Sequence, residues 1–371
     1  MYFFWPILNV HMSLALADTT LPESTDSEAG AKQVVEESEK EKPGPFEGPS
    51  EGDQNGEPVN TSPSPEDNLA AYWATLSDQE LQGDIHELQD ANKYNAAQDR
   101  LDFLVQRNSS PYNRYLWAKN NELLENYELA LSEYDSLLES ADFDEGWRID
   151  IRYRRGIVLD DIGRHRQAIS DFKKVRRSKG VSNLDKQQIN LLIGAARINA
   201  GRSWCGVWTI NRALPSFVDR TEGGWARARA RTALMKELIA SAESRPIRPG
   251  KKIGDDISYR QRWLKEAEAQ VVGIFHLREP EYVQKSFVLL IDAYMRFYDE
   301  VVQAPPPVEF DAFQRVIYRQ KMREQAEPLR YRAKRLAKKA LNYANSIAWQ
   351  GMDRDALYHR NLVIDREDLI P

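Results

Sequence analysis

The chain has 371 residues and a single cysteine, Cys205. An internal disulfide is therefore impossible, and a scaffold held together by disulfides is excluded. Cys205 is expected to be a small buried thiol on a helix. The histidines are few and scattered, at His11, His86, His165, His276 and His359. No two of them stand at metal-ligand spacing. No glycine-rich phosphate loop occurs, nor a serine elbow. The acidic pair Asp160-Asp161 is not read as a carboxylate dyad, because neighbours on a helix point in different directions; it is read as a solvated turn. No catalytic arrangement is legible, and the chain reads as non-catalytic, without cofactor or metal.

Charge is spread unevenly. The formal net charge is −6, but residues 18–67 alone carry fourteen Asp/Glu against three Lys, a net of −11. With no formal side-chain charge in residues 1–17, the remainder, 68–371, stands at +5. Mild basicity of this size does not point to nucleic acid. Residues 18–67 are rich in Glu, Ser, Pro and Gly and hold almost no aromatics. Such a segment buries too little apolar surface to offset its ordering entropy, so it is expected to be a disordered acidic linker.

Long apolar runs are missing except at the start. Residues 1–17 read MYFFWPILNVHMSLALA and end in Ala15-Leu16-Ala17, a small-x-small site before Asp18. The segment resembles a secretory signal peptide. The alternative is a short anchor in the inner membrane, at the lower limit of a span. Export to the periplasm or cell envelope is the expectation. No cysteine follows the cleavage site, which argues against a lipid anchor.

What the chain does contain is an internal repeat. The stretch from Ile149 to Ser182 has small residues at Gly156 and Ala168, a glycine at Gly163 and an aromatic at Phe172. Steps of 38 residues recover the pattern on both sides. The first small position reads Ala118, Gly156, Gly194, and the second Ala130, Ala168, Gly206. A turn position reads Glu125, Gly163, Gly201. A wedge position reads Tyr134, Phe172, Ile210, followed by Leu137, Val175, Ala213. A weaker earlier copy has Ala97, Leu101 and Leu104 on its second helix. This pattern resembles the tetratricopeptide (TPR) repeat family, whose unit is a helix–turn–helix of about 34 residues. The longer step is assigned to the connections, for example at Asp142–Gly146 and Lys179–Asn183.

The resemblance covers residues 78–220 and implies an all-α fold: TPR-like helical hairpins forming a right-handed solenoid, with an irregular helical C-terminal part. The domains read as a signal peptide (1–17), a linker (18–67), repeats (68–220), a helical extension (221–350) and a tail (351–371). In this family the first helix of each pair lines a concave groove. By register that places Tyr112, Tyr115 and Lys119, then Tyr153, Ile157 and Asp160, then Leu191, Ala195 and Asn199 on the groove, with Arg229 and Lys236 beyond. Such a surface suits an extended peptide or a partner helix. Tyr115, Tyr153 and Asn199 are taken as anchors on one face at steps of 38. The Lys/Asn pattern that resembles a clamp for a peptide's terminal carboxylate is absent from these positions. Tyr115, Trp117, Tyr153 and Trp204 otherwise read as packing between helices.

Beyond the repeats the pattern predicts helices over Trp225–Ser244, Tyr259–Phe275 and Pro280–Val302, and a long basic helix over 309–350 that Pro328 is expected to kink or split. Its apolar stripe is Leu329, Leu336, Ala340, Tyr343 and Ile347. Its cations Arg330, Arg332, Lys334, Arg335, Lys338 and Lys339 read either as a solvated face or as a docking strip for a membrane phospholipid, an anionic envelope polymer or an acidic protein. The functional expectation is an exported interaction scaffold of the bacterial cell envelope with a protein or peptide partner. The alternative is a structural subunit of an envelope assembly (a secretion, pilus or motility machine) docked through this helix.

Overall fold

The computed structural model describes residues 65–140, 144–218, 220–248 and 252–347, all within the unit Ser64–Pro371. The apolar leader, the linker up to residue 64 and the tail 351–371 lie outside the described residues. Helix α1, Pro65–Thr75, begins inside the segment read as linker. Four hairpins follow: α2 (Asp78–Asp90) with α3 (Tyr94–Arg107), α4 (Pro111–Leu123) with α5 (Tyr127–Glu139), α6 (Glu145–Asp161) with α7 (His165–Arg177), and α8 (Asn183–Asn199) with α9 (Ser203–Ala213). A 3₁₀ turn, Leu214–Phe217, leads to α10 (Gly224–Glu243), α11 (Ile253–Phe275), α12 (Pro280–Val302) and α13 (Ala312–Ser346). The described residues hold no strand.

Each hairpin starts and turns in the same way. The first helices are capped by Ser77, Ser110, Asp144 and Ser182, whose side chains accept a backbone N–H three residues on. These caps satisfy donors that a helix start would otherwise leave open. Ser77 completes a capping box with Glu80, at 2.8 Å from Ser77 N to Glu80 Oε2. The second helices have no side-chain cap. They follow instead a residue in left-handed backbone: Asn92 (φ 57°), Glu125 (φ 62°), Gly163 (φ 80°) and Gly201 (φ 75°). Only glycine takes that conformation without cost, so Glu125 turns the chain against a steric penalty of roughly 1–2 kcal/mol.

The small positions bring the helices of a hairpin together. A Cβ on Gly156 would stand 2.7 Å from Phe172 Cε1, and one on Gly206 would stand 2.7 Å from the carbonyl oxygen of Gly194. Ala97, Leu101 and Leu104, Ala130, Tyr134 and Leu137, Ala168, Phe172 and Val175, and Ile210 and Ala213 are all buried. Each helix also packs on the next across the connection, so the hairpins form a continuous stack, an all-α helical-repeat solenoid.

The step between hairpins is not uniform, and its origin differs from the expectation. From Ala97 to Ala130 it is 33 residues, and from Ala130 to Ala168 it is 38. The connections account for little of this. Helices α6 and α8 have 17 residues where α2 and α4 have 13. Four residues are about one helical turn, so the extension keeps each face in phase.

The C-terminal part continues the pairing, α10 with α11 and α12 with α13. Helix α11 begins six residues earlier than the pattern predicts, at Ile253. Helix α13 is a single 35-residue helix that runs through Pro328 without a break. Pro328 is exposed, so the ring and the carbonyl it leaves without a helical donor can face water. Met322, Ala326, Leu329, Ala333, Leu336 and Ala340 alternate by three and four and form the buried stripe. Ile347, read as part of that stripe, is exposed.

The register sets a stability test. Phe172→Ala is expected to cost ~3–5 kcal/mol, as for other buried aromatic truncations. Arg166→Ala, at an exposed position of the same hairpin, is expected to stay within ~0.5 kcal/mol. Urea denaturation of both variants measures the contrast; equal, small losses would contradict the packing.

Candidate functional site

Side chains on the first helices form a polar ladder from one hairpin to the next. Between α2 and α4, Gln82 donates to Asn113 (2.7 Å), Gln89 donates to Asn120 (3.1 Å), and His86 Nε2 lies 3.4 Å from the Tyr112 hydroxyl. Asn113 and Asn120 are buried. Asn120 also donates to the backbone carbonyl of Tyr94 and to Gln98, both on α3, at 2.9 Å each. Buried amides need such partners, because each unpaired polar group costs on the order of 1–3 kcal/mol.

The next rung joins α4 to α6. The Tyr115 hydroxyl donates to Asp150 and accepts from Arg154 Nε at 2.9 Å. Arg154 lies 3.5 Å from Glu122 and 3.4 Å from Asp150. Tyr134 reaches in from α5 and donates to Glu122 at 2.7 Å. Burial pushes the Glu122 carboxyl above its usual range, while Arg154 pulls the other way. Burial raises the Tyr115 phenol and lowers the Lys119 amine. Above this rung, Trp147 stands edge-on to Tyr112 and Tyr115, with ring centroids 5.5 and 5.1 Å away.

A third rung ties α6 to α10. Arg229 donates to Asp160 at 2.6 Å and to Asp161 at 2.7 Å, and its guanidinium lies over the Trp225 ring. His165 Nδ1 stands 2.7 Å from the same Asp160, and Asn199 Nδ2 3.5 Å from it. Asp160 is buried. Asp160 is thus the buried half of an ion cluster, while Asp161 remains exposed: one arginine spans both carboxylates although they are adjacent on the helix.

Beside these rungs lies a cavity of about 510 Å³. Ile149, Asp150 and Tyr153 of α6 line it, with Lys179 from the connection and Gln188 and Ile189 of α8. It can receive a side chain: it is apolar at Ile149 and Ile189, with acid, amine and amide at its edges.

The structure redistributes the predicted groove residues. Tyr112 and Lys119 are half-buried and Tyr153 lines the cavity. Tyr115 is buried and fully engaged, so it serves as a support for the surface and not as an exposed anchor. A step of 38 from Tyr153 reaches Leu191, not Asn199. Leu191 and Ala195 are core residues, because α10 packs against α8 and closes that face. Asn199 and Lys236 are exposed. The sequence reading missed Trp147, Asp150, Arg154 and Glu122; the spacing of Asp150 to Arg154 was the one local signal for them.

Two other expectations are corrected. Cys205 is exposed, and so are Trp204 and Trp208 on the same helix. The C-terminal cations do not form a free strip. Arg332 reaches Glu268 of α11 at 3.0 Å through Nε, and Arg330 pairs with Glu327 at 2.9 Å. Arg335 and Lys338 are exposed. Among the described residues no group of three or more His, Cys, Asp or Glu is placed to hold a metal, and no helix is long and apolar enough to cross a membrane.

This geometry defines a helical-repeat protein of TPR-like hairpins. No family model matches the chain, and no curated protein does. Solved structures similar to it include a tetratricopeptide repeat protein from Parabacteroides merdae, 12% identical, covering 77% of this chain and 98% of that one at a TM-score of 0.36. Another is the C-terminal part of a TPR repeat-containing protein from Cytophaga hutchinsonii, 15% identical, covering 76% and 94% at a TM-score of 0.35. The repeat assignment rests on this chain's own caps, turns and packing.

The α4–α6 rung generates a test. Arg154→Met strands the Glu122 carboxylate and is expected to cost ~3 kcal/mol, the lower end for breaking a buried pair. Adding Glu122→Gln is expected to recover much of that loss. Urea denaturation reads both; additive losses would show that the two side chains are not coupled.

Proposed function

We propose that the chain is an exported, non-catalytic protein–protein interaction scaffold of the bacterial cell envelope, which holds a peptide segment or helix along its first helices. The observation that carries the reading is the combination of Trp147, Tyr112 and the cavity beside Tyr153 on a face braced from below by hydrogen-bonded side chains. A preorganised surface of this kind loses little freedom on binding. Aromatic anchors next to fixed charges are where interface energy concentrates. The apolar leader with its Ala15-Leu16-Ala17 site supports export.

The test places a photo-crosslinking residue at Gln188, on the cavity wall, and at Arg166 as a control. A partner adduct is expected from position 188 and not from 166. Trp147→Ala is expected to weaken capture roughly thirtyfold, the equivalent of ~2 kcal/mol, with helicity unchanged. Adducts from position 166 alone would defeat the groove reading. Mass spectrometry of protein recovered from cells is expected to find the mature N-terminus at Asp18; a soluble cytosolic form that keeps Met1 would defeat the export reading and leave the groove reading intact.

A further inference from the structure

A second cavity, of about 380 Å³, lies among α7, α8 and α9. Helix α7 contributes Arg176, α8 contributes Asn190 and Arg197, and α9 contributes Trp208, Thr209 and Arg212. Helix α8 therefore presents Gln188 and Ile189 to the groove cavity and Asn190 and Arg197 to this one. The two sites are separate.

Its charge balance differs from that around Arg154, Arg155 and Arg229. Three other half-buried arginines meet carboxylates: Arg155 meets Asp135 and Asp171, Arg154 meets Glu122 and Asp150, and Arg229 meets Asp160 and Asp161. Here three arginines converge with no acidic residue in the lining. Arg176 donates to the Asn190 amide oxygen at 2.8 Å, and Arg197 donates to the Thr209 hydroxyl at 2.6 Å. Both acceptors are neutral. Arg212 lies over the Trp208 ring, 5.3 Å from its centroid. A guanidinium carries five donor hydrogens, so these contacts leave most of the donors of the site unused.

Three like charges held around one concavity repel each other, and low-dielectric walls strengthen the field inside. An anion removes that repulsion. Guanidinium forks match the tetrahedral oxygens of phosphate, in pairs of parallel hydrogen bonds. A cavity of this size falls at the small end of ligand sites and exceeds a bare anion. We propose that it is an oxyanion site that takes a phosphate group, with the attached portion of the ligand lying against Trp208. Two sources supply the same chemistry: a free phosphate compound, or the headgroup of an anionic phospholipid. Trp204 and Trp208 are both exposed on α9 beside the site, and indoles of that kind favour a boundary between water and an apolar phase.

The test uses the full chain and two arms. In the first, inorganic phosphate is titrated by calorimetry at constant ionic strength set with sodium chloride. In the second, the protein is floated with vesicles of phosphatidylglycerol and phosphatidylcholine, and with phosphatidylcholine alone. Saturable phosphate binding assigns a free compound; retention on the anionic vesicles alone assigns a headgroup. The Arg176→Gln/Arg212→Gln variant changes half-buried and exposed side chains and is expected to stay folded by circular dichroism. It is expected to bind at least roughly tenfold more weakly, as for the loss of a hydrogen bond to a charged group. Arg335→Gln/Lys338→Gln, in the C-terminal helix, is expected to bind as the wild type does. Absence of binding in both arms would overturn the proposal. So would equal binding by the Arg176/Arg212 variant, or loss of binding in the C-terminal control instead.

Discussion

Arg229 crosses from α10 to two carboxylates on α6, an interval of 68 residues to Asp161 and 69 to Asp160. Everything between them in the chain, the whole of α7, α8 and α9, is folded into the loop that this contact closes. The contact works because Asp160 is buried and held from the other side by His165. A buried carboxylate without a cation would be costly, and so would a buried guanidinium without an acid. Together they make the position of α10 relative to α6 nearly all-or-none. The consequence reaches the groove. With α10 seated against α8, Leu191 and Ala195 become core, and the first-helix face of α8 is open only at its edge, beside the cavity.

The same logic runs down the stack. Apolar packing within a hairpin is set by small residues facing large ones, such as Gly156 against Phe172. Packing of this kind is strong but carries little information about the register between hairpins. The polar rungs supply that register, since Tyr115 can meet Asp150 and Arg154 in one alignment only. Buried polar contacts add modest net stability and more specificity. The Trp147 cluster rests on that rung, packed against Tyr112 and Tyr115.

The hairpins were legible in the sequence because close approach of two helices needs small residues, and Gly156, Gly194 and Gly206 sit at the required spacing. The turns were legible for a related reason: left-handed backbone favours glycine, and the positions of Gly163 and Gly201 pointed to Glu125. Asn92 follows the same rule, and the serine caps at Ser77, Ser110 and Ser182 recur with the hairpins. The extra turn on α6 and α8 was assigned to the connections because residue counts do not say where an insertion lies. The site was less legible. Arg154 and Glu122 meet through a contact between separate hairpins, and nothing local in either stretch marks it. Asp160 was misread because adjacency on a helix argues against a shared partner, and only a long arginine arriving from α10 overcomes that. Cys205 and Trp204 were read as buried from their residue types alone, while among the described residues no helix packs over the face of α9 that carries them.

The C-terminal helices and the repeats form one stack, and Arg229 ties them together. Native-state hydrogen exchange of the wild type and of Arg229→Met tests that tie. In the wild type the slow amides of α6 and α10 are expected to share one opening free energy. In the variant α10 and α11 are expected to open at a lower free energy than α6, with the α4–α5 hairpin unchanged. If α6 and α10 already open independently in the wild type, or if the variant lowers protection equally along the entire chain, Arg229 does not join the two parts.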